Sequence, residues 1–123
     1  MESPVEYGLF EQTVTIYQLR ENQVIRTVAE GAYLQMETVQ TCDAQGHRQE
    51  TKFLLILPGE GVSLSPGDRV YDGMGPEISP EQWSRFIPAL VPKLGQIQYV
   101  KPCYWQGVLC HTEAGRRYKC WKN

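Results

Sequence analysis

The residues best suited to chemistry in this chain are its cysteines and histidines. Four cysteines stand at Cys42, Cys103, Cys110 and Cys120, and two histidines at His47 and His111. Cys103, Cys110, His111 and Cys120 would make a zinc ligand set, but structural zinc sites usually draw on ligand pairs two to four residues apart, and no cysteine pair has that spacing. An even cysteine count also suits two disulfides, whereas the lack of a secretory pattern favours free thiols. Semi-buried strand cysteines are the interpretation that the spacing favours.

Catalytic use of a thiol needs a cationic neighbour or a helix N-terminus that lowers its pKa. Cys110 with His47 is the one nucleophile pair that the sequence suggests, and no cysteine precedes the predicted helix. The glycine-rich stretch PGEGVSLSPGD (58–68) lacks the GK[ST] of a phosphate-binding loop, and the carboxylates are dispersed. We therefore expect no enzyme activity, no catalytic residue, no cofactor and no metal.

Composition indicates an ordinary folded chain. Its 123 residues are 41% hydrophobic and 21% charged, which suits a single domain spanning residues 1–123. A net charge of −2 disfavours a tight grip on DNA phosphates. Since no apolar run reaches about 20 residues and the first residues lack a signal pattern, we expect a soluble chain that is not exported and does not meet a membrane.

Alternating β-branched and aromatic residues dominate the chain and predict strands. They fall at 13–19, 24–42, 50–59, 69–73, 97–101 and 107–112. Gly31 lies inside the second strand and indicates a bend, a device that curls sheets. The polar residues 43–49 are predicted to form the mobile loop of a hairpin.

Residues 64–79, LSPGDRVYDGMGPEIS, raise the question of whether they form a binding-site rim or a turn. Pro66-Gly67 suits a type II turn, with Val70 inward and Arg69 and Tyr71 on the opposite face. Ser79 is a good helix N-cap, and Pro80 suits the first helical position. Because apolar residues follow at helical spacing, we predict a short α-helix at about 79–90 that covers one mouth of the sheet.

The predicted fold class is mainly β: a small bent-sheet β-barrel or β-sandwich with that one short α-helix. Residues 1–12 and 116–123 are expected to be flexible or ordered by a partner. The basic, aromatic C-terminal residues are a candidate partner-contact tail, namely Arg116, Arg117, Tyr118 and Trp121.

The order of these landmarks resembles a family of small proteins from tailed bacteriophages and prophages, whose genes follow the major capsid gene. The matching stretches are VTIYQ, VIRTVAEGAYLQ, the hairpin to FLLILPG, GDRVYDGMGPEIS and IQYVKPCYWQGVLCHTEAGR, which lie between residues 13 and 115. Two features depart from the family pattern: Tyr33 stands where a tryptophan is usual, and RRYKCWKN has no counterpart.

The resemblance implies a structural virion protein of the neck: a head–tail joining, head-closure or stopper subunit that forms a six-fold or twelve-fold ring beneath the portal. Its partners would be itself, the portal or adaptor and tail proteins, with genomic DNA passing through and no sequence-specific binding. It would reside in the host cytoplasm during assembly. The resemblance makes Asp43, His47 and Arg48 the candidate lumen- or partner-facing loop.

Two other functions fit the same residues. One is a tail-terminator type of ring protein. The other is a monomeric small-barrel binding module for a protein partner or for single-stranded nucleic acid, held by Tyr99, Tyr104, Trp105 and the basic tail.

Overall fold

The structure is a computed structural model that describes residues 11–43, 46–59 and 62–116, with the backbone alone between 38 and 50. Seven strands and one 3-10 helix make up this part of the chain. They are β1 (Gln12–Arg20), β2 (Gln23–Asp43), β3 (Gly46–Pro58), β4 (Arg69–Asp72), the 3-10 helix (Pro80–Arg85), β5 (Leu94–Gln96), β6 (Tyr99–Trp105) and β7 (Val108–Arg116). The predicted mainly-β fold is confirmed.

All seven strands form one curled antiparallel sheet in the order β5-β4-β1-β2-β3-β7-β6. Its two edge strands, β5 and β6, are separated in sequence only by Ile97 and Gln98. The Ile97 N–H donates to the Asp68 carbonyl (2.7 Å), beside β4, and the Gln98 N–H donates to the Gly115 carbonyl of β7 (2.7 Å). One extended segment, residues 94–105, therefore contains both edge strands of the curled sheet. We refer to this barrel-like sheet as the barrel.

The long strand β2 is shared between the two halves of the sheet. Its first part, to Ala32, pairs with β1, and its second part, from Tyr33, pairs with β3. Gly31 sits at the changeover with a φ of 72°, a left-handed conformation that glycine adopts without the penalty of a Cβ. The bend predicted at this glycine is confirmed, and it turns β2 from one half of the sheet into the other.

The concave face of the sheet encloses the main core. Alternate strand residues supply it, as period-two patterning requires. The buried members are Val14, Ile16, Ala32, Leu34, Phe53, Leu55, Leu57, Leu64, Val70, Ile97 and Ala114.

A second apolar layer lies outside β1, β4 and β5, beneath residues 73–93, which we call the strap. The Tyr17 ring meets the Phe86 ring edge-on at 4.6 Å between centroids, and its hydroxyl donates to the Pro76 carbonyl (2.5 Å). The Thr15 hydroxyl donates to the Gly73 carbonyl (2.7 Å) and accepts from the Gly75 N–H (2.9 Å). These bonds satisfy strap backbone groups that sit on the sheet without a strand partner.

Gly75 is required by this close approach. A Cβ at that position would collide with the Tyr17 hydroxyl and press on the Tyr71 ring. The Arg26 guanidinium also donates to the Gly75 carbonyl, from Nε at 3.0 Å. The strap therefore lies directly on the sheet at this glycine.

The α-helix predicted at 79–90 is wrong in type and length. Its start is right, because Pro80 opens it and the Ser79 N–H donates to Gln82 Oε1 (2.8 Å). However, it is a six-residue 3-10 helix that ends at Arg85. Pro88 lacks an N–H and disfavours helical geometry at the residue before it. Arg69 Nη1 donates to the carbonyls of Trp83 and Phe86 (2.6 Å each), which an α-helix would use internally.

The loop predicted at 43–49 is a second correction. β2 runs to Asp43 and β3 begins at Gly46, and these two residues pair with each other, so 43 and 46–49 are strand residues. Polar strand residues and polar loop residues have the same composition, and only the pairing tells them apart. The strand predicted at 97–101 is also shifted, since β5 ends at Gln96 and β6 spans 99–105.

Residues 64–68 are a turn built on one carboxylate, and the turn predicted at Pro66-Gly67 is confirmed. The Asp68 N–H donates to the Ser65 carbonyl (3.0 Å), and Gly67 has a φ of 98°, as a type II turn requires. The Asp68 carboxylate is buried and accepts from the Ser65 N–H (2.9 Å), Gln18 Nε2 (3.0 Å) and both terminal nitrogens of Arg20 (3.0 Å each). Asp68 thus joins β1 to the turn that holds the closing segment.

We predict that Asp68→Ala lowers the free energy of unfolding by about 2–4 kcal/mol, because four donor groups on three residues lose a buried charged acceptor. Arg20→Ala should cost only about 1 kcal/mol, since the arginine side chain is 40% exposed and the Asp68 carboxylate keeps its hydrogen bonds from Ser65 and Gln18. Urea unfolding of the two variants and the parent measures both values. Equal losses in the two variants would contradict this account of the turn.

Candidate functional site

The hairpin of β2 and β3 continues well past the rest of the sheet. β1 pairs with β2 only as far as Ala32, and β7 pairs with β3 only from Phe53 onward. Residues 37–43 and 46–52, which we call the arm, pair only with each other among the described residues. At about 3.3 Å per residue, seven residues a strand give an arm about 20 Å long.

The candidate loop residues lie at the far end of this arm. Asp43 is the last residue of β2 and pairs with Gly46, while His47 pairs with Cys42 and Arg48 pairs with Thr41. The three are therefore close in the backbone ladder, and they belong to strands instead of the predicted loop. Their separation from the barrel makes the arm end a distinct surface.

An open groove of about 300 Å³ lies at the root of the arm. Its lining is mixed polar, charged and apolar, and it consists of Gln35, Glu37, Lys52, Phe53, Leu54, Tyr99 and Arg116. Lys52 Nζ lies 3.3 Å from Glu37 Oε1, and the Tyr99 hydroxyl donates to Glu113 Oε2 (3.0 Å). The charged residues of the lining are one carboxylate, Glu37, and two cations, Lys52 and Arg116, so both signs of charge are present in the groove.

Of the candidate tail, the structure describes Arg116 alone. It ends β7 opposite Phe53 and lines the arm-root groove. Arg117, Tyr118 and Trp121 lie outside the described residues, as does Cys120. Sequence reasoning placed Arg116 in the tail, whereas it is the last residue of a strand.

The cysteines and histidines are arranged differently from the pairs considered above. Cys103 on β6 pairs with His111 on β7, so both half-buried side chains lie on one face of the sheet. Cys110 falls where the register of β6 and β7 shifts, and its carbonyl accepts from the Gly59 N–H (2.8 Å). His47 lies near the start of β3, whereas Cys110 lies on β7 beside Gly59, just beyond the other end of β3, so the two are not brought together. Within the described ranges, no three His, Cys, Asp or Glu residues are grouped as metal ligands.

The turn between β6 and β7 carries two of the aromatic side chains that the sequence suggested for binding single-stranded nucleic acid, Tyr104 and Trp105. Gln106 and Gly107 both have positive φ values (52° and 82°), which define a tight type I′ turn. Beside it, Tyr104 is 64% exposed and Trp105 is 42% exposed. Tyr99 lies at the other end of β6, so the three aromatics considered as a nucleic-acid platform do not form one surface.

A shallow hollow of about 320 Å³ opens next to this turn. Its lining contains no charged residue and consists of Val62, Ser63, Leu64, Val100, Pro102, Leu109 and Thr112. We call the hollow together with Tyr104 the tip patch. The spacing QG between two apolar pairs, YW and VL, was the sequence signal for this turn.

Comparisons of the chain with protein-family models, with curated proteins and with solved structures gave no match. None of the helical segments in the described residues is long and apolar enough to cross a membrane.

His111 provides a pH test of the β6–β7 face. Burial lowers the pKa of His111 below its ordinary value of 6.5, and the neighbouring Glu113 carboxylate opposes this in part. Between the folded and the unfolded pKa, the unfolded chain binds more protons, so the folded state loses stability as the pH falls below about 6.5.

We predict that His111→Gln reduces this acid sensitivity. Thermal unfolding at pH 7.5 and pH 5.5 should show a larger drop in melting temperature for the parent than for the variant. His47 is present in both proteins and cancels in the comparison. Parallel pH profiles would mean that His111 is equally easy to protonate in both states.

Proposed function

We propose that this chain is a structural virion protein of a tailed bacteriophage, a head–tail joining or head-closure subunit that forms a ring beneath the portal. Its partners are further copies of itself, the portal or adaptor, and tail proteins. It acts in the virion neck and is present in the host cytoplasm during assembly. The order of sequence landmarks between residues 13 and 115 supports this assignment.

The observation that carries the proposal is the arm. A two-stranded ribbon is at best marginally stable by itself in water, and its outer edges leave backbone N–H and C=O groups without strand partners. The arm extends about 20 Å beyond the core. Contact with another protein would stabilise this ribbon and give its unpaired backbone groups partners. A subunit of an assembly can use a projecting arm of this kind to bind its neighbour.

The charge of the molecule is compatible with a channel through which DNA passes. The net charge is −2, and the arm-root groove is lined by Glu37, Lys52 and Arg116, with Glu113 accepting a hydrogen bond from the lining residue Tyr99. A surface with balanced charges does not hold the DNA backbone by counterion release, which requires an excess of cations. Sliding of the genome past such a surface meets little electrostatic resistance.

We predict that a shortened arm removes assembly and leaves the barrel folded. Val39 pairs with Glu50, so replacing residues 40–49 by Asn-Gly gives a two-residue hairpin loop at a paired position. Mass photometry and negative-stain imaging with purified portal should show rings for the parent and none for this variant. Its circular dichroism spectrum should stay that of the parent barrel.

The matched control is Ala44→Asn with Gln45→Gly, which installs the same turn and keeps the arm at full length. This control should form rings with portal as the parent does. If the parent ignores portal, or if the shortened variant assembles normally, the proposed role of the arm is wrong. A tail-terminator ring would instead assemble on tail tubes, which the same imaging distinguishes.

The exposed rings of Tyr104 and Trp105 favour one further candidate, a binding module for single-stranded nucleic acid. In that case a labelled oligonucleotide should bind in a salt-dependent manner. Tyr104→Ala should weaken binding about fivefold or more, because stacking on one aromatic contributes about 1–3 kcal/mol. We expect no mobility shift at physiological salt, and a shift that Tyr104→Ala abolishes would replace the ring proposal.

A further inference from the structure

We propose that residues 117–121 continue β7 along the arm and pair with its β3 edge, which makes the arm a three-stranded ribbon. The occupant of this edge is therefore a segment of the same chain, the one that directly follows Arg116. The inference does not rest on the proposed ring, because it concerns a contact within one copy.

The ladder between β3 and β7 directs the chain along the arm. β7 pairs with β3 from His111 to Arg116 without a shift of register, and the last pair is Arg116 with Phe53. In an antiparallel ladder the next residue, Arg117, falls opposite Lys52, and each further residue falls opposite one nearer the end of the arm. Pairing with the arm requires only that the chain keep the direction it already has.

The backbone groups of β3 are oriented for such a partner. The N–H of Gly59, directly after β3, donates to the Cys110 carbonyl (2.8 Å), so the odd-numbered residues of β3 direct their N–H and C=O groups toward β7. Thr51 and Gln49 continue this alternation along the arm. An extended segment beside them would give these groups the strand partners that an open edge lacks.

The opposite edge of the arm differs at its root. The ladder between β1 and β2 ends where Gln12 pairs with Ala32. The Gln12 side-chain amide then bonds both backbone groups of Leu34: its Nε2 donates to the carbonyl (3.0 Å), and its Oε1 accepts from the N–H (2.9 Å). A side chain thus takes the place of a further strand residue and ends that ladder. β7 is instead still paired at Arg116, so the continuation belongs to the β3 edge.

The residue types of the segment suit a strand in this register. Its sequence, RYKCW, contains two aromatic residues and neither glycine nor proline. Lys119 falls opposite Glu50, and opposite charges at directly opposed positions stabilise a strand pair. Arg117 falls opposite Lys52, a like charge that is offset by Glu37, whose Oε1 lies 3.3 Å from Lys52 Nζ.

A disulfide to the native Cys120 tests the register. Cys120 falls opposite Gln49, and residues paired by hydrogen bonds in an antiparallel ladder have Cα atoms about 5.5 Å apart, which is within the range of a disulfide. In a Cys42→Ser background, Gln49→Cys should therefore form a disulfide with Cys120 within one chain when treated with oxidised glutathione. Peptide mapping by mass spectrometry identifies the two cysteines that are joined.

The matched control is Glu50→Cys in the same background. Gln49→Cys should give at least about fivefold more disulfide to Cys120 than Glu50→Cys, because positions 49 and 120 share a face of the ribbon and position 50 lies on the other face. Equal yields would show that the segment has no register on the arm and would overturn the inference. Disulfide-linked dimers in place of linked monomers would place the segment on another copy and overturn the contact within one copy.

Hydrogen exchange measured by NMR tests the pairing without new cysteines. When the chain is cut after Arg116, the N–H groups of Thr51 and Gln49 should exchange at least about tenfold faster, because they lose their acceptors. The N–H groups of Lys52 and Glu50, which face β2, are the internal controls and should change far less. Equal rates in the two proteins at Thr51 and Gln49, or equal acceleration at all four positions, would contradict pairing at this edge.

The two experiments separate this inference from the proposed function. Neither involves portal or a second copy, so their failure leaves the proposed ring standing, and a failure to form rings leaves the pairing standing. If the pairing holds, Arg117, Tyr118 and Trp121 belong to the continuation of β7, and the β2 edge from Met36 to Asp43 is the edge of the arm that remains for a neighbour.

Discussion

The barrel depends on one segment of chain, residues 94–105, bonding to both edges of the same sheet. Ile97 and Gln98 make that connection with two short backbone hydrogen bonds, one to Asp68 and one to Gly115. Asp68 is held in turn by Gln18 and Arg20 from β1. A sheet whose edges are used in this way has few open edges left, and its apolar face is shielded from water without a covering helix.

The pairing of the strands also explains why side chains, and not strand partners, bond the backbone groups of the strap. The strap crosses strands that have already used their own backbone groups, so its carbonyls and N–H groups are met by side chains. Arg69 shows how far this goes: its guanidinium is buried, lies 3.8 Å from the Trp83 ring centroid, and has no carboxylate among its bonding partners in the described residues. Burial lowers the pKa of Arg69 from its ordinary value, and its Nε finds no acceptor. Hydrogen bonds from buried side chains to backbone carbonyls therefore hold the strap on the sheet.

Much of this architecture could be predicted from local signals. The Pro66-Gly67 turn, the bend at Gly31 and the alternation in β1 each follow from the conformational preferences of the residues concerned. Pro88 signalled that the helix is short, but its 3-10 geometry depends also on a distant residue, Arg69, which donates to the carbonyls of Trp83 and Phe86. The strands 24–42 and 50–59 and their hairpin were predicted, but not the continuation of their pairing to Asp43 and Gly46, because the polar residues at 43 and 46–49 resemble a loop until their register is known.

The candidate site shows the same division. Asp43, His47 and Arg48 were chosen from the resemblance as members of one loop, and the pairing of β2 with β3 keeps their backbones close together. Cys103 and His111 become neighbours only through the pairing of β6 and β7, and the tip patch combines that hairpin with residues 62–64, about 40 positions earlier in the chain. Contacts that depend on such separations carry no local pattern.

The continuity of β2 has a mechanical consequence. One strand of 21 residues runs from the barrel wall into the arm without a break in its backbone. Its hydrogen bonds to β1 and β3 lie across the strand direction, so a pull along the arm loads many of them at once, in shear. A load applied sideways would instead open them one after another, as a zip opens. The molecule is therefore stiffest along the axis of its own longest strand.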